Sequence, residues 1–458
     1  MSCLPKHHNC VMSAREAPVL LGRICSLWRA ISLATPRLWA SIHIADPGAT
    51  QSSWATSHLE QRLEVTRTWL QRSGECPLSI SLHSSLHSPG TDLFLLQVDT
   101  PSRTPAVLQM LILFASRWQH IHFDIPAGFV KTLGQLTASD VPMLKTLALN
   151  QINAYEPSDF TWARLAVLSG SCLTSISILG NGVFLQDLPV RWTQLTSLST
   201  FARDFPMPSQ TSISSETALW AIAQCPNLRS FSFDFHKDAE MSSRPMVEHR
   251  LLQMVECRGD LSASCLFGRL SLPALKELRF TFLQRTNLDP YDDQPFVRFL
   301  SSSLRLESLH LGCDQAPPSS LQNIVCSLPP TVKRLYFSGS STWNGPSIDD
   351  DVLAAFTPVA GLATPCPVLQ VLRIDRCTEV SDAALLRFIT ARAATLKRIQ
   401  IDFARTMELD IRPQLKSVIP GLDISVTHLV PDRQFSPWQG LPNAPLPLSV
   451  PLTVVPLY

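Results

Sequence analysis

The feature that most constrains this chain is a short apolar phrase that returns down its length. Leu144, Leu147 and Leu149 set its spacing: leucine, two residues, apolar, one residue, apolar. The phrase recurs at Leu173, Ile176 and Ile178, and in weaker form at Leu195 and Leu198. It then returns at Leu228, Phe231, Phe233; Leu275, Leu278, Phe280; and Leu306, Leu309, Leu311. Val332, Leu335, Phe337; Leu369, Leu372, Ile374; and Leu396, Ile399, Ile401 complete the series. Side chains two apart lie on one face of a strand, so each phrase predicts a short strand with one buried face. Pro142, Pro226, Pro273, Pro330 and Pro367 stand just ahead of several phrases. First residues lie 22 to 47 apart, so the longer intervals must hold loops or longer helices. Apolar stretches at 217–223, 245–255, 296–300, 321–328 and 349–356 predict helices between the strands. Alternation of strand and helix predicts an α/β chain with a parallel sheet and outer helices. A single unit is too small to bury its own apolar face, so the units must stack.

The unit at 367–388 is the clearest. Leu369, Leu372 and Ile374 are followed by Cys377, Val380, then Leu385 and Phe388. Ser381 and Asp382 suit the opening of a helix, where their oxygens accept free N–H groups. Cys377 followed by Val380-Ser381-Asp382 resembles the cysteine-containing leucine-rich repeats of F-box proteins. A thiol there reads as a small buried group facing turn backbone.

Near the N-terminus, Leu20, Ile24, Leu27, Trp28 and Ile31 fall on one helical stripe that Pro36 stops. Leu38, Trp39 and Ile42 form a second apolar group. The plain reading of this stretch is an amphipathic core helix. Ile24-Cys25, Trp28-Arg29, Pro36 and Leu38-Trp39 also resemble the second half of an F-box. Residues 16–44 as a whole resemble F-box-like proteins of mushroom-forming fungi. The Leu-Pro-x-Glu helix that opens that motif has no counterpart in residues 1–15, so the expected F-box is truncated.

The resemblance implies a leucine-rich-repeat solenoid, a curved parallel sheet with outer helices, preceded by a small helical F-box remnant. It divides the chain into that remnant (1–45), a linker and helix-strand adaptor region (46–115), irregular repeats (116–411) and a Pro-rich cap or tail (412–458). In a cap, Phe435, Pro437, Trp438 and Leu441 would dock on the last repeat. The implied function is the substrate-recognition subunit of a cullin–RING ubiquitin ligase. A Skp-type adaptor would dock at Leu20, Ile24, Leu27, Trp28, Pro36, Leu38 and Trp39, and an unknown target protein would bind the concave face of the repeats. The alternative is a repeat scaffold without ligase docking.

Alternation along the strands assigns Glu277, Arg279, His310, Arg334, Tyr336, Arg373, Asp375, Arg398 and Gln400 to that open face. Arg279, His310, Arg334, Tyr336, Arg373 and Arg398 are the candidates for partner binding. Arginine pairs bidentately with carboxylate and phosphate, which suits an acidic or phosphorylated peptide. The plainer reading is a solvated face of mixed charge. Earlier strands present only Thr146, Ala148, Ser175, Ser177, Ser230 and Ser232.

Composition excludes several classes. Charged residues are 16% of the chain and net charge is +1, no footprint for general nucleic-acid binding. Twelve cysteines with no C-x-x-C pair and a polar start predict free thiols in a reducing, intracellular compartment, cytoplasm or nucleus. Cys3, His7, His8 and Cys10 fit no common zinc spacing. No run of 18 apolar residues predicts a membrane span. Phosphate loops, G-x-S-x-G and H-E-x-x-H are absent, so neither enzyme nor cofactor is expected, and an irregular α/β enzyme is the remote alternative. The acidic run Asp349–Asp351 precedes an apolar helix, where negative charge suits the helix dipole.

Overall fold

A computed structural model describes residues 3–5, 7–46, 54–84, 104–152, 161–180, 183–201, 213–236, 245–259, 264–282, 293–313, 316, 318–339, 348–357, 364–419 and 421–429. The chain forms two compact units, residues 1–259 with 269–274, and residues 260–268 with 275–458.

The strands of the first unit are β1 (Ser41–Asp46), β2 (Leu78–Ser84), β3 (Trp118–Pro126), β4 (Thr146–Ile152), β5 (Ser175–Leu179), β6 (Ser197–Phe201), β7 (Ile213–Ser214), β8 (Ser230–His236), β9 (Val247–Glu248), β10 (Met254–Gly259) and β11 (Leu270–Ser271). They order as β1-β2-β3-β4-β5-β6-β8-β10, parallel throughout, with β7 beside β8 and β9 paired to β11. The second unit holds β12 (Glu277–Phe282), β13 (Ser308–Gly312), β14 (Arg334–Ser338), β15 (Val371–Cys377), β16 (Arg398–Phe403) and β17 (Asp423–His428), parallel and in sequence order.

The register aligns the phrases. Leu147, Ile176, Leu198, Phe231 and Val255 stand in one buried row across β4 to β10. Leu278, Leu309, Leu335, Leu372 and Ile399 do the same across β12 to β16. The first residue of each phrase is buried beneath the strand entry. The next residue's N–H repeats one bond: Glu307 to Lys276 O, Lys333 to Glu307 O, Gln370 to Lys333 O and Lys397 to Gln370 O, all at 2.8–2.9 Å. This is a parallel-sheet repeat of the solenoid-like kind.

Helices Ser215–Gln224, Gln294–Ser302, Pro318–Cys326, Asp350–Ala355 and Asp382–Ala391 occupy predicted stretches. Ser381 accepts the Ala384 N–H at 3.1 Å and Asp349 that of Val352 at 2.8 Å, so both helices open as their residue types suggest. The helices cover the buried face of the sheet, as where Phe280 meets Phe296 at 5.1 Å between ring centroids.

Three expectations are corrected. Residues 245–255 form no helix; Leu252, Val255 and Cys257 carry the phrase there, and β10 pairs with β8. Nor is the series complete at Ile401. Helix Arg412–Val418 leads to β17, where Ile424 and Val426 stand beside Ile399 and Ile401. Between β3 and β6 the described parts of the connections are mainly short 3-10 turns, such as Trp162–Arg164 and Leu185–Asp187, where alternation of strand and helix led to the expectation of helices. The N-terminal segment ends in β1, which pairs with β2 and so joins the sheet of the first unit. The tail aromatics Phe435 and Trp438, with Pro437 and Leu441, lie outside the described residues.

Buried charged groups fasten the loops. Arg117 donates to Leu70 O at 3.0 Å, Ser73 Oγ at 2.9 Å and Gly74 O. Arg392 donates to Phe356 O at 2.8 Å and Cys366 O at 2.9 Å. Asp382, fully buried, accepts from Arg405 at 3.0 Å and from the N–H groups of Glu408 and Leu409 at 2.9 Å, with His428 Nε2 at 3.1 Å. Against the raising effect of burial, the Leu409 N–H, Arg405, His428 and the Glu408 N–H hold its carboxyl down at about 2. Asp382→Asn removes a buried charge from partners that remain, and should cost roughly 3 kcal/mol in chemical denaturation. The carboxylate's contribution is fully present above its ordinary value and is lost as pH falls toward about 2. The wild-type chain should therefore lose stability over that acid window faster than the variant.

Candidate functional site

Two surfaces stand out, one in each unit. In the first unit, helices Leu21–Ile24 and Ser26–Leu33 are separated by an extended Cys25, and Arg29 Nε binds Gly22 O across the break at 2.8 Å. Their apolar side chains face solvent. Leu20 is 40% exposed, Ile24 57%, Leu27 65%, Trp28 46%, Ile31 49% and Leu33 44%. Scattered exposed apolar residues are ordinary, but six within residues 20–33 make this stretch a candidate interaction surface. Only Leu21 and Ser32 of these two helices are buried, so the core-helix reading of the stripe does not hold.

Leu38 and Trp39 are placed otherwise. Both are buried, while Pro36 is exposed. Trp39 meets Trp69 edge-to-face at 4.9 Å, lies under Arg72 at 4.8 Å and donates its indole N–H to Ser32 O at 2.8 Å. Trp39 ties the end of the second helix through Ser32, and neither Leu38 nor Trp39 offers a surface of its own. Sequence spacing could not separate them from Leu27 and Trp28, because both pairs sit in apolar groups beside arginines.

In the second unit, the open face of the sheet carries two polar rungs. Glu277, Ser308, Arg334, Val371, Arg398 and Asp423 stand side by side, and Arg279, His310, Tyr336, Arg373, Gln400 and Ser425 form the next rung. All six predicted partner-binding residues are thus brought to one face. Most of their charge is compensated. Arg279 binds Glu277 at 2.7 Å, Arg373 binds Asp375 at 2.8 Å and Arg398 binds Asp423 at 2.7 Å. Asp423, at the start of β17, was missed because its strand was missed. Arg334 is exposed and makes no ion pair among the described residues.

At the centre, the rings of His310 and Tyr336 stack at 4.0 Å with 11° between planes. Burial, together with Arg279, Arg334 and Arg373, pushes His310 down to about 4 against the pull of Glu277. The imidazole is therefore neutral at physiological pH, and the pair forms an uncharged aromatic platform between guanidinium groups. Such a rung can hydrogen-bond, stack and pair with anions. It sets no nucleophile beside a base.

Cys377 is fully buried at a bulge after Ile374, and burial raises its thiol. A buried thiol kept protonated is a packing group, not a nucleophile. No group of three His, Cys, Asp or Glu among the described residues has metal-holding geometry. No helix among them is long and apolar enough to cross a membrane. No protein-family model matches this chain, and no curated protein matches it in sequence.

Truncation separates the two tryptophans. Trp28→Ala should change stability by no more than about 0.5 kcal/mol, as an exposed side chain does. Trp39→Ala should cost about 3 to 5 kcal/mol, since it empties a packed site. Paired urea melts of the two variants read the difference directly. Equal costs would mean that Trp28 is packed as deeply as Trp39.

Proposed function

We propose that this chain is a non-enzymatic substrate receptor: an F-box-type subunit that docks a Skp-type adaptor of a cullin–RING ubiquitin ligase and holds a target protein on a leucine-rich-repeat sheet. The observation that carries this reading is the outward apolar face of residues 20–33. A stripe of leucine, isoleucine and tryptophan left in water is costly unless a partner covers it. The stretch is also the one whose residues resemble an F-box. Arg15, Arg23, Arg29 and Arg37 surround it with only Glu16 as an acid, so the complementary face would carry carboxylates. Its place of action would be a reducing intracellular compartment.

The target would meet the two rungs of the second unit. Their compensated charges favour a mixed polar partner over a uniformly acidic one, with Arg334 as the position that recognises a carboxylate or phosphate. A second reading, a repeat scaffold without ligase docking, draws on the burial of Leu38 and Trp39, which removes two of the seven motif residues from contact.

Immobilised adaptor should retain the purified chain, and Leu27→Asp combined with Ile31→Asp should abolish retention. Absence of binding by this chain, and by a chain to which a Leu-Pro-x-Glu helix has been added, would overturn adaptor docking and leave the scaffold reading. For the repeat face, Arg334→Glu should weaken a captured target by about tenfold, worth about 1.4 kcal/mol. Arg373→Glu should act less, because Asp375 already engages that guanidinium. Unchanged affinity for both variants would remove the rungs from target binding.

A further inference from the structure

An arginine three residues before a serine or threonine is a charge pattern that protein kinases read. Carboxylates of the kinase meet the guanidinium while the substrate chain lies extended in the cleft. The pattern recurs in this chain, and the structure sorts its copies. Ser32, Ser232 and Ser308 are buried. Ser301, Thr390 and Thr395 turn their hydroxyls back on their own chain. They donate to Arg298 O at 2.9 Å, Leu386 O at 2.8 Å and Arg392 O at 3.3 Å.

Ser26 differs from all of these. Arg23 stands three residues before it, and apolar Leu27 follows it. Arg23, Ile24, Cys25, Ser26 and Leu27 are all exposed. The Ser26 hydroxyl makes no hydrogen bond among the described residues. Cys25, just before it, is extended, with φ −159° and ψ 173°. The helices on either side of Cys25 have four and eight residues, and only Leu21 and Ser32 of them are buried. Little packing therefore opposes drawing Arg23–Leu27 into an extended stretch.

We propose that Ser26 is a phosphorylation site for an arginine-directed kinase, and that its phosphate closes the apolar face of residues 20–33 to the adaptor. In the transfer, Ser26 Oγ attacks the γ-phosphorus of a nucleoside triphosphate. The bond from that phosphorus to the β–γ bridging oxygen breaks, and the nucleoside diphosphate leaves with the electron pair. The hydroxyl proton passes to the catalytic carboxylate of the kinase.

The product carries a charge of about −1.5 to −2 between Ile24 and Leu27, where docking would require dry apolar contact. Burying that charge under a partner is costly. Arg29, three residues on along the same helix, lies within reach of it and pairs well with phosphate. That pairing removes positive charge from the rim that would meet carboxylates of the adaptor, and the dianion repels the same carboxylates. The switch rests on the adaptor reading; the modification site does not.

Treatment of the full chain with ATP and a purified arginine-directed serine kinase, followed by peptide mass spectrometry, tests the site. Phosphate should appear on Ser26, and Arg23→Ala should slow its incorporation there by about tenfold, the cost of losing one charge contact. Retention on immobilised adaptor then tests the switch. Stoichiometric phosphorylation should weaken wild-type binding by about tenfold or more. In Ser26→Ala, kinase treatment should leave retention as it was before treatment. No phosphate on Ser26, or incorporation as fast in Arg23→Ala, would overturn the site. Unchanged retention of the phosphorylated chain, or an equal loss in treated Ser26→Ala, would overturn the switch while docking stands. Failure of the untreated chain to bind would overturn docking and the switch with it, and incorporation at Ser26 would then decide the site by itself.

Discussion

The structure depends on lateral burial between parallel strands. No repeat of this chain has an interior of its own. Leu335 and Phe337 are flanked by Leu309 and Phe280's neighbour Leu311 on one side and by Leu372 and Ile374 on the other, beneath the covering helices. The backbone follows the same rule, since each strand's entry N–H is satisfied by the carbonyl of the strand before it. Two consequences follow. The apolar rows are fixed in register, because a slip of one residue would turn every buried side chain outward. The alternate residues are then fixed just as firmly on the open face, which is how Arg279, His310, Tyr336 and Arg373, far apart in sequence, come to share a rung.

Much of this was legible in the sequence. The phrase located β4, β5, β6, β8 and β12 to β16, and alternation placed all six polar candidates on one face. What escaped notice did so for chemical reasons. At β10, cysteine and valine stand where leucine and phenylalanine stand elsewhere, and a short apolar run does not declare whether it is helix or strand. At β6 the third position is Thr200, buried with its hydroxyl, which made the phrase look weak. At β17, Ile424 and Val426 follow glycine where other repeats have leucine.

The candidate surfaces were less legible. Helical periodicity marked residues 20–33 as amphipathic but says nothing about which medium the apolar stripe meets. Only the burial of Ser32 and the bond from Trp39 to its carbonyl show that the helix is held from another side. Likewise four arginines on one face suggested a cationic wall, whereas carboxylates supplied by the same or the next strand neutralise three of them. The arginines that matter most to the fold, Arg117 and Arg392, gave no sequence signal, because a guanidinium buried among carbonyls has no local pattern.

The outward apolar helix is where the structure and the proposed function meet. Hydrogen exchange of the full chain with and without a purified Skp-type adaptor tests that meeting most directly. The account predicts slowed exchange confined to residues 20–33 and their immediate flanks. Unchanged exchange there at saturating adaptor, or protection appearing only on the polar rungs of the second unit, would contradict it.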